Sequence, residues 1–238
     1  MENDLLGLPR PQAWLGHLLA TSPDGIQWNR LHSHPIITGA NDAASLIDMY
    51  PGAKTPFKEG THFIHQQTFK HNPNLPTERD NLTHMHRVIS VWQSKKFDGQ
   101  WIGPVRILEP DTKDAPDLQF YWLTAFKTPS GNYGGFLNCH HTIDQTMDVQ
   151  LVSSKDGWLW TRENDRDPIL PLGPRGRFDC GLVISIAQPV IWRDRVFVFY
   201  QGRPTVHDAQ PRYPEEKSQP DPGIGLAQFS LDFMKFTV

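Results

Sequence analysis

The chain is poor in cysteine, in long apolar runs and in net positive charge, and each shortage closes off a class of protein. Only Cys139 and Cys180 occur in 238 residues. Two thiols cannot make a disulfide framework or, alone, a thiolate zinc site; they read as small buried residues in a reducing compartment, with a single bridge between them left open. No stretch approaches the ~20 apolar residues of a spanning helix, and Met1-Glu2-Asn3-Asp4 lacks the basic-then-apolar layout of a secretory leader. The expected product is therefore soluble and cytoplasmic, with no membrane partner. Twenty-three basic against 26 acidic residues give a net charge of -3 with the signs mixed. That leaves no basic face to neutralise phosphates, so nucleic acid is not an expected partner.

Punctuation and aromatic surface are plentiful instead. With 21 Pro, 18 Gly and eight Trp, long helices are disfavoured and short strands joined by loops are favoured. A chain of this length can bury one all-β core, so residues 1–238 are expected to form a single domain.

A short phrase recurs along it. Ala20-Thr21-Ser22-Pro23-Asp24-Gly25-Ile26-Gln27-Trp28 returns as Val152-Ser153-Ser154-Lys155-Asp156-Gly157-Trp158-Leu159-Trp160. A looser copy runs from Gln93 to Trp101, and a worn one from Ala227 to Phe233. Each reads as a strand, an Asp-Gly turn and a second strand carrying an aromatic, so Asp24, Asp98 and Asp156 are assigned to hairpin turns. Repeated hairpins at this period predict a β-propeller of four-stranded blades, whose channel mouth is the usual ligand site.

The blades divide as an outer hairpin in 1–30, a second blade in 41–107, a third in 117–162 and a fourth in 179–238. In the third, Phe120–Phe126, Tyr133–His141, Met147–Ser153 and Trp158–Arg162 are the four strands. In the second, Ala43–Tyr50, Thr61–Phe69 and Arg87–Gln93 are strands. In the fourth, Ile184–Trp192 is one inner strand and Phe233–Val238 the outer one. Two strands of the first blade are missing, which leaves three explanations: truncation, a miscounted blade, or a second copy of the chain completing an open ring. Trp28, Trp101 and Trp160 are expected to pack between blades.

An acidic residue stands ahead of each inner strand: Asp42, Asp117 and Asp179. At one channel mouth these carboxylates would raise one another's pKa and separate an acid from a base, as glycosidic bond cleavage requires. The alternative is that each is a turn residue accepting backbone hydrogen bonds. His140, His141 and His207, with His65, fall at or after the ends of second strands and could hydrogen-bond sugar hydroxyls or hold a channel metal ion. Tyr121, Trp122 and Tyr200 could stack on a sugar ring, and Arg203 could bind one. Asp148 interrupts an apolar strand and needs a partner, for which Arg177 and Arg203 are the candidates.

The residues from Leu108 to Asp232 resemble glycosyl hydrolase-like five-bladed propellers, related to the clan of glycoside hydrolase families 32, 43 and 68. The matching phrases are Leu108-Glu109-Pro110-Asp111, Asp114 to Tyr121, Met147-Asp148-Val149-Gln150-Leu151, Leu170-Pro171-Leu172-Gly173, Phe178-Asp179-Cys180-Gly181 and Gly223 to Ala227. The resemblance implies a glycoside hydrolase in which a first-blade acidic residue is the nucleophile or base, and here that blade is incomplete. The blade alignment instead offers one of Asp117 and Asp179 as the protonated acid and the other as the base or the residue that sets its pKa, with Asp42 beside them and no cofactor expected. Family members use a Glu as the acid, and here no Glu occupies a mouth position; Glu59 and Glu109 are nearest. The alternative function is a non-catalytic carbohydrate-binding or interaction propeller.

Overall fold

A computed structural model describes residues 16–33, 35–38, 62–72, 74, 80, 84–96, 98–185 and 187–235. Within them the chain is all-β, with fifteen strands and two 3-10 turns, Asn164–Arg166 and Leu231–Met234. None of the described helices is long and apolar enough to cross a membrane.

Four short strands come first: β1 (Gly16–His17), β2 (Ala20–Thr21), β3 (Asn29–Arg30) and β4 (Ile37–Thr38), with β1 paired to β4 and β2 to β3. The opening region thus holds two strand pairs where one hairpin was expected. β5 (His62–His71), β6 (Met85–Ser94) and β7 (Ile102–Leu108) form an antiparallel three-stranded sheet. The expected strand over 43–50 lies outside the described residues.

β8 (Leu118–Lys127), β9 (Tyr133–His141), β10 (Thr146–Ser154) and β11 (Thr161–Arg162) form a continuous antiparallel meander. These are the four strands read from residues 117–162. β8 is buried along nine of its ten residues, which is why Leu118-Gln119-Phe120-Tyr121-Trp122-Leu123 reads as a near-continuous apolar run rather than an alternating one.

The expected single strand over 184–192 is two: β12 (Leu182–Ile184) and β13 (Val190–Trp192). Both pair with β14 (Arg195–Arg203), β13 at its start and β12 at its end, so the chain leaves and rejoins one sheet edge. β15 (Gly223–Ser230) covers the other edge of β14, with half-buried and exposed residues alternating as an edge strand requires. Beyond it Leu231–Met234 curls into a 3-10 turn, and residues 236–238 of the expected outer strand lie outside the described residues.

The duplicated phrase folds the same way twice. Asp24 Oδ1 accepts the N–H groups of Ile26 and Gln27, and Asp156 Oδ1 those of Trp158 and Leu159. Ser22 and Ser154 accept from Gly25 and Gly157, and Trp28 and Trp160 donate their indole N–H to the same glycines' carbonyls. Gly25 and Gly157 have φ of 76° and 72°, a region that glycine enters without steric cost. The turn is therefore a seven-residue serine-aspartate-tryptophan loop, wider than a two-residue Asp-Gly hairpin. The inter-blade role expected of all three tryptophans does not hold for Trp28, which is 63% exposed, whereas Trp101 is buried. The Trp28 ring lies over its own loop.

One core joins the two larger sheets. Phe63, Ile89 and Leu108 of the β5–β7 sheet pack with Phe120, Leu123, Phe136, Leu137 and Val149 of the meander. Each such side chain contributes ~1.5–3 kcal/mol through burial, which fixes the sheets against each other. Cys139 and Cys180 are both buried free thiols.

Candidate functional site

Where the β5–β7 sheet meets β8, a polar group replaces the apolar packing. Arg87 on β6 has a fully buried side chain, and its two terminal nitrogens each donate to one oxygen of Asp80 at 2.8 Å. Gln119 Oε1 accepts from Arg87 at 2.8 Å, while Gln119 Nε2 donates to Asp80 Oδ2. The guanidinium carbon lies 5.5 Å from the centroid of the Tyr121 ring.

Tyr121 occupies a β-bulge. Phe120 pairs with Cys139 and Trp122 with Asn138, so Tyr121 is the extra residue. A bulge re-aims side chains. This one directs both Tyr121 and Trp122 into a cluster with Met147, Leu182 and Ile184, apart from the core that holds Phe120. Gln67 of β5 donates to the Tyr121 carbonyl at 2.7 Å.

Tyr121, His140 and His207, three of the residues singled out in the sequence, come together. The Tyr121 hydroxyl is 3.0 Å from His207 Nε2, and the ring centroids of His140 and His207 are 4.4 Å apart. Tyr121 meets both imidazoles edge to face. His140 is fully buried, with the Gln145 side chain beside it. Burial, reinforced by the charge of Arg87, holds its pKa well below the usual imidazole range, so the ring is neutral.

The adjacent strand ends carry two buried carboxylates, Asp117 and Asp148, and the half-buried His141. Asp117 precedes β8, His141 ends β9, and Asp148 lies near the start of β10. His141 Nε2 is 2.8 Å from Asp148 Oδ2, so the partner of Asp148 is His141 and not the expected Arg177 or Arg203. The antiparallel β9–β10 register puts Asp148 opposite Cys139, two residues from His141 on the same hairpin, which is why a local partner wins. Burial lowers the His141 pKa, but the Asp148 hydrogen bond and the charges of Asp148, Asp144 and Asp117 outweigh it, and the net shift is upward. Asp117 accepts the Ile143 N–H on its carboxylate and the Thr142 N–H on its carbonyl, closing the β9–β10 turn onto β8.

The remaining sequence candidates sit elsewhere or serve the framework. Asp179 Oδ2 accepts from the Tyr200 hydroxyl at 2.9 Å, and burial followed by that bond pushes the Tyr200 pKa up to about 12. The same carboxylate is boxed in by glycine: a Cβ on Gly173 would lie 1.9 Å from Asp179 Oδ1, and one on Gly202 2.5 Å from its Cβ. Trp122 donates its indole N–H to the Ser185 carbonyl, which also accepts from Thr124 and Asn138. Arg203 ends β14 opposite Leu182, and its Nε has no hydrogen-bond partner. His65 lies in the middle of β5, edge to face with Trp160, because the strand runs on to His71; it is not at a strand end. Asp42 lies outside the described residues.

A concavity of about 740 Å³ opens away from these residues, between the end of β7 and β11. Trp160, Glu109, Lys113 and Asp165 line it, above a closed ion-pair group in which Arg162 and Arg166 grip Asp111 and Asp114. Among the described residues no three His, Cys, Asp or Glu side chains stand close enough to hold a metal ion.

Sequence reasoning missed Asp80, Arg87, Gln119 and Gln145. A lone Arg at the head of the largely apolar run Val88-Ile89-Ser90-Val91 was a legible sign of a buried, paired charge; Gln145 gave no sign.

No protein-family model matches the chain, and no curated protein does. Solved structures similar to it include β-1,2-mannobiose phosphorylase from Listeria innocua in complex with β-1,2-mannobiose. That match has a TM-score of 0.49 and 16% identity over 78% of this chain and 45% of that one. A protein provisionally assigned as a glycoside hydrolase, from Parabacteroides distasonis, matches at 0.48 and 15% identity, over 89% of this chain and 58% of that one. A protein of unknown function from Dyadobacter fermentans matches at 0.36 and 15% identity over 85% and 70%. The chain thus spans about half the length of the first two.

Proposed function

We propose that this chain is a carbohydrate-active β-propeller that hydrolyses a glycosidic bond at the shared end of β8, β9 and β10. One observation carries the reading: Asp117 and the His141–Asp148 pair meet at these strand ends, with the Tyr121–His140–His207 group on the other face of β9. The repeated serine-aspartate-tryptophan loops and the four-stranded meander support the propeller.

In this reading Asp117 is one of the two working carboxylates. Asp148, oriented by His141, takes the partner role in place of Asp179, whose carboxylate is committed to Tyr200 between two glycines. The separation of the two carboxyl groups with sugar bound then sets the outcome, about 5–5.5 Å for retention and about 6.5–9.5 Å for inversion. His207, His140 and Tyr121 form a wall of which His207, the half-buried member, receives sugar hydroxyls while the other two back it.

A specific observation favours a second reading, the non-catalytic carbohydrate-binding propeller. Asp117 also holds its own turn through Ile143, as a framework residue does. Hydrolysis of a panel of aryl glycosides and oligosaccharides, beside Asp117→Asn and Asp148→Asn, separates the two. Turnover lost at least ~100-fold in both folded variants supports catalysis, matching the low end of acid–base contributions; turnover unchanged in both removes these carboxylates from it.

A further inference from the structure

Gln145 is fully buried, yet its backbone is left-handed, with a φ of 63°. That region is uncommon for a residue with a side chain and persists only where the surroundings enforce it. Here they do so through three bonds. Gln145 Nε2 donates to the Thr142 carbonyl at 2.8 Å, its Oε1 faces His207 Nδ1 at 3.3 Å, and its backbone carbonyl accepts the His207 N–H at 2.7 Å.

The chemistry of these contacts sets the direction of the hydrogen bonds. The Thr142 carbonyl only accepts, so the amide nitrogen of Gln145 must face it and the amide oxygen must face His207. An amide oxygen also only accepts, so the proton of a neutral His207 ring sits on Nδ1. Nε2 then presents a lone pair, and the Tyr121 hydroxyl 3.0 Å away is the donor.

We infer that Gln145 is a positioning residue that fixes the tautomer of His207 and thereby makes Tyr121 a proton donor to it. In the step this permits, the Tyr121 O–H bond breaks and an N–H bond forms at His207 Nε2, giving a phenolate and an imidazolium; the reverse transfer restores both. Two features serve that step. The bulge delivers the Tyr121 side chain to this wall, and the Arg87 guanidinium near the ring stabilises negative charge developing on it. The use of this pair in glycoside chemistry rests on the proposed function; the tautomer does not.

The test is therefore spectroscopic. Long-range 1H–15N correlation on the 15N-labelled full chain at neutral pH reads the proton position on His207, identified by its loss in His207→Gln. The expected result is an excess of Nδ1–H of about tenfold, the ratio that one net hydrogen bond yields. Gln145→Glu, which keeps an acceptor, should retain it; Gln145→Leu should lose it. Tyr121→Phe should leave it unchanged, and this variant serves if Gln145→Leu does not fold. A wild-type ring protonated on Nε2 or on both nitrogens, or an Nδ1–H excess that survives in Gln145→Leu, overturns the inference whatever the hydrolysis assay shows.

Discussion

Replacing Asp80 by Ala should be among the most damaging single substitutions in this chain. The Asp80 and Arg87 side chains are both fully buried, and two parallel bonds of 2.8 Å join them. After the substitution the guanidinium loses both of its bonds to Asp80, and Gln119 Nε2 loses its own. Removing one partner of a buried pair costs ~3–5 kcal/mol, because the other charge is left unpaired away from water. With a urea slope of about 3 kcal/mol/M, the unfolding midpoint should fall by roughly 1–1.7 M. The control is Lys70→Ala. Lys70 and Glu109 are 2.9 Å apart, almost the same distance, but their side chains are 45% and 41% exposed. That pair should cost only ~0–1 kcal/mol, so burial and not distance decides the difference. The double variant Asp80→Leu, Arg87→Met should recover much of the loss. Urea denaturation followed by tryptophan fluorescence measures all three, and an Asp80→Ala cost close to that of Lys70→Ala would refute the reasoning.

Acid should destabilise the fold through its buried imidazoles. Burial pushes the His65 pKa from 6.5 down to about 4. Between those values the unfolded chain binds the proton and the folded one does not, so stability should fall by ~1.4 kcal/mol per pH unit as pH drops through that window. His140 acts in the same direction, and urea titrations from pH 7 to 4 should show a flatter slope in His65→Leu than in wild type. Gly135→Ala should cost ~1–3 kcal/mol by overpacking, since its Cβ would lie 2.6 Å from Leu123 Cδ1 and 2.8 Å from Val152 Cγ2. A thermal midpoint equal to wild type would show that β8 and β10 can part there.

The all-β class and the strands of 117–162 were legible because they follow from local signals. Continuous apolar runs mark the buried strands, and the Ser-x-Asp-Gly phrase closes its own loop through contacts within three residues. The split between β12 and β13 was not legible, since Ile184 to Trp192 is apolar at both ends whether or not the chain leaves the sheet. The same limit applies to the site. Spacing singled out Tyr121, His140, His141 and His207; the fold brings the first, second and last of these rings together and turns His141 to Asp148. Asp179 met the same rule of position as Asp117, but its direction depends on contacts with Gly173 and Gly202 that come from distant parts of the chain, and the phrase that ends in Gly173 does not report them. Gln145 works through a backbone conformation, and nothing in the residue name reports that.

The most direct test of the proposed function is turnover of the glycoside panel by purified, monodisperse wild-type chain. The account predicts release of sugar from at least one substrate, abolished by Asp117→Asn with the fold intact. A well-folded chain that binds an oligosaccharide at this end but hydrolyses none of the panel would contradict it in favour of the binding propeller; neither binding nor turnover would contradict both.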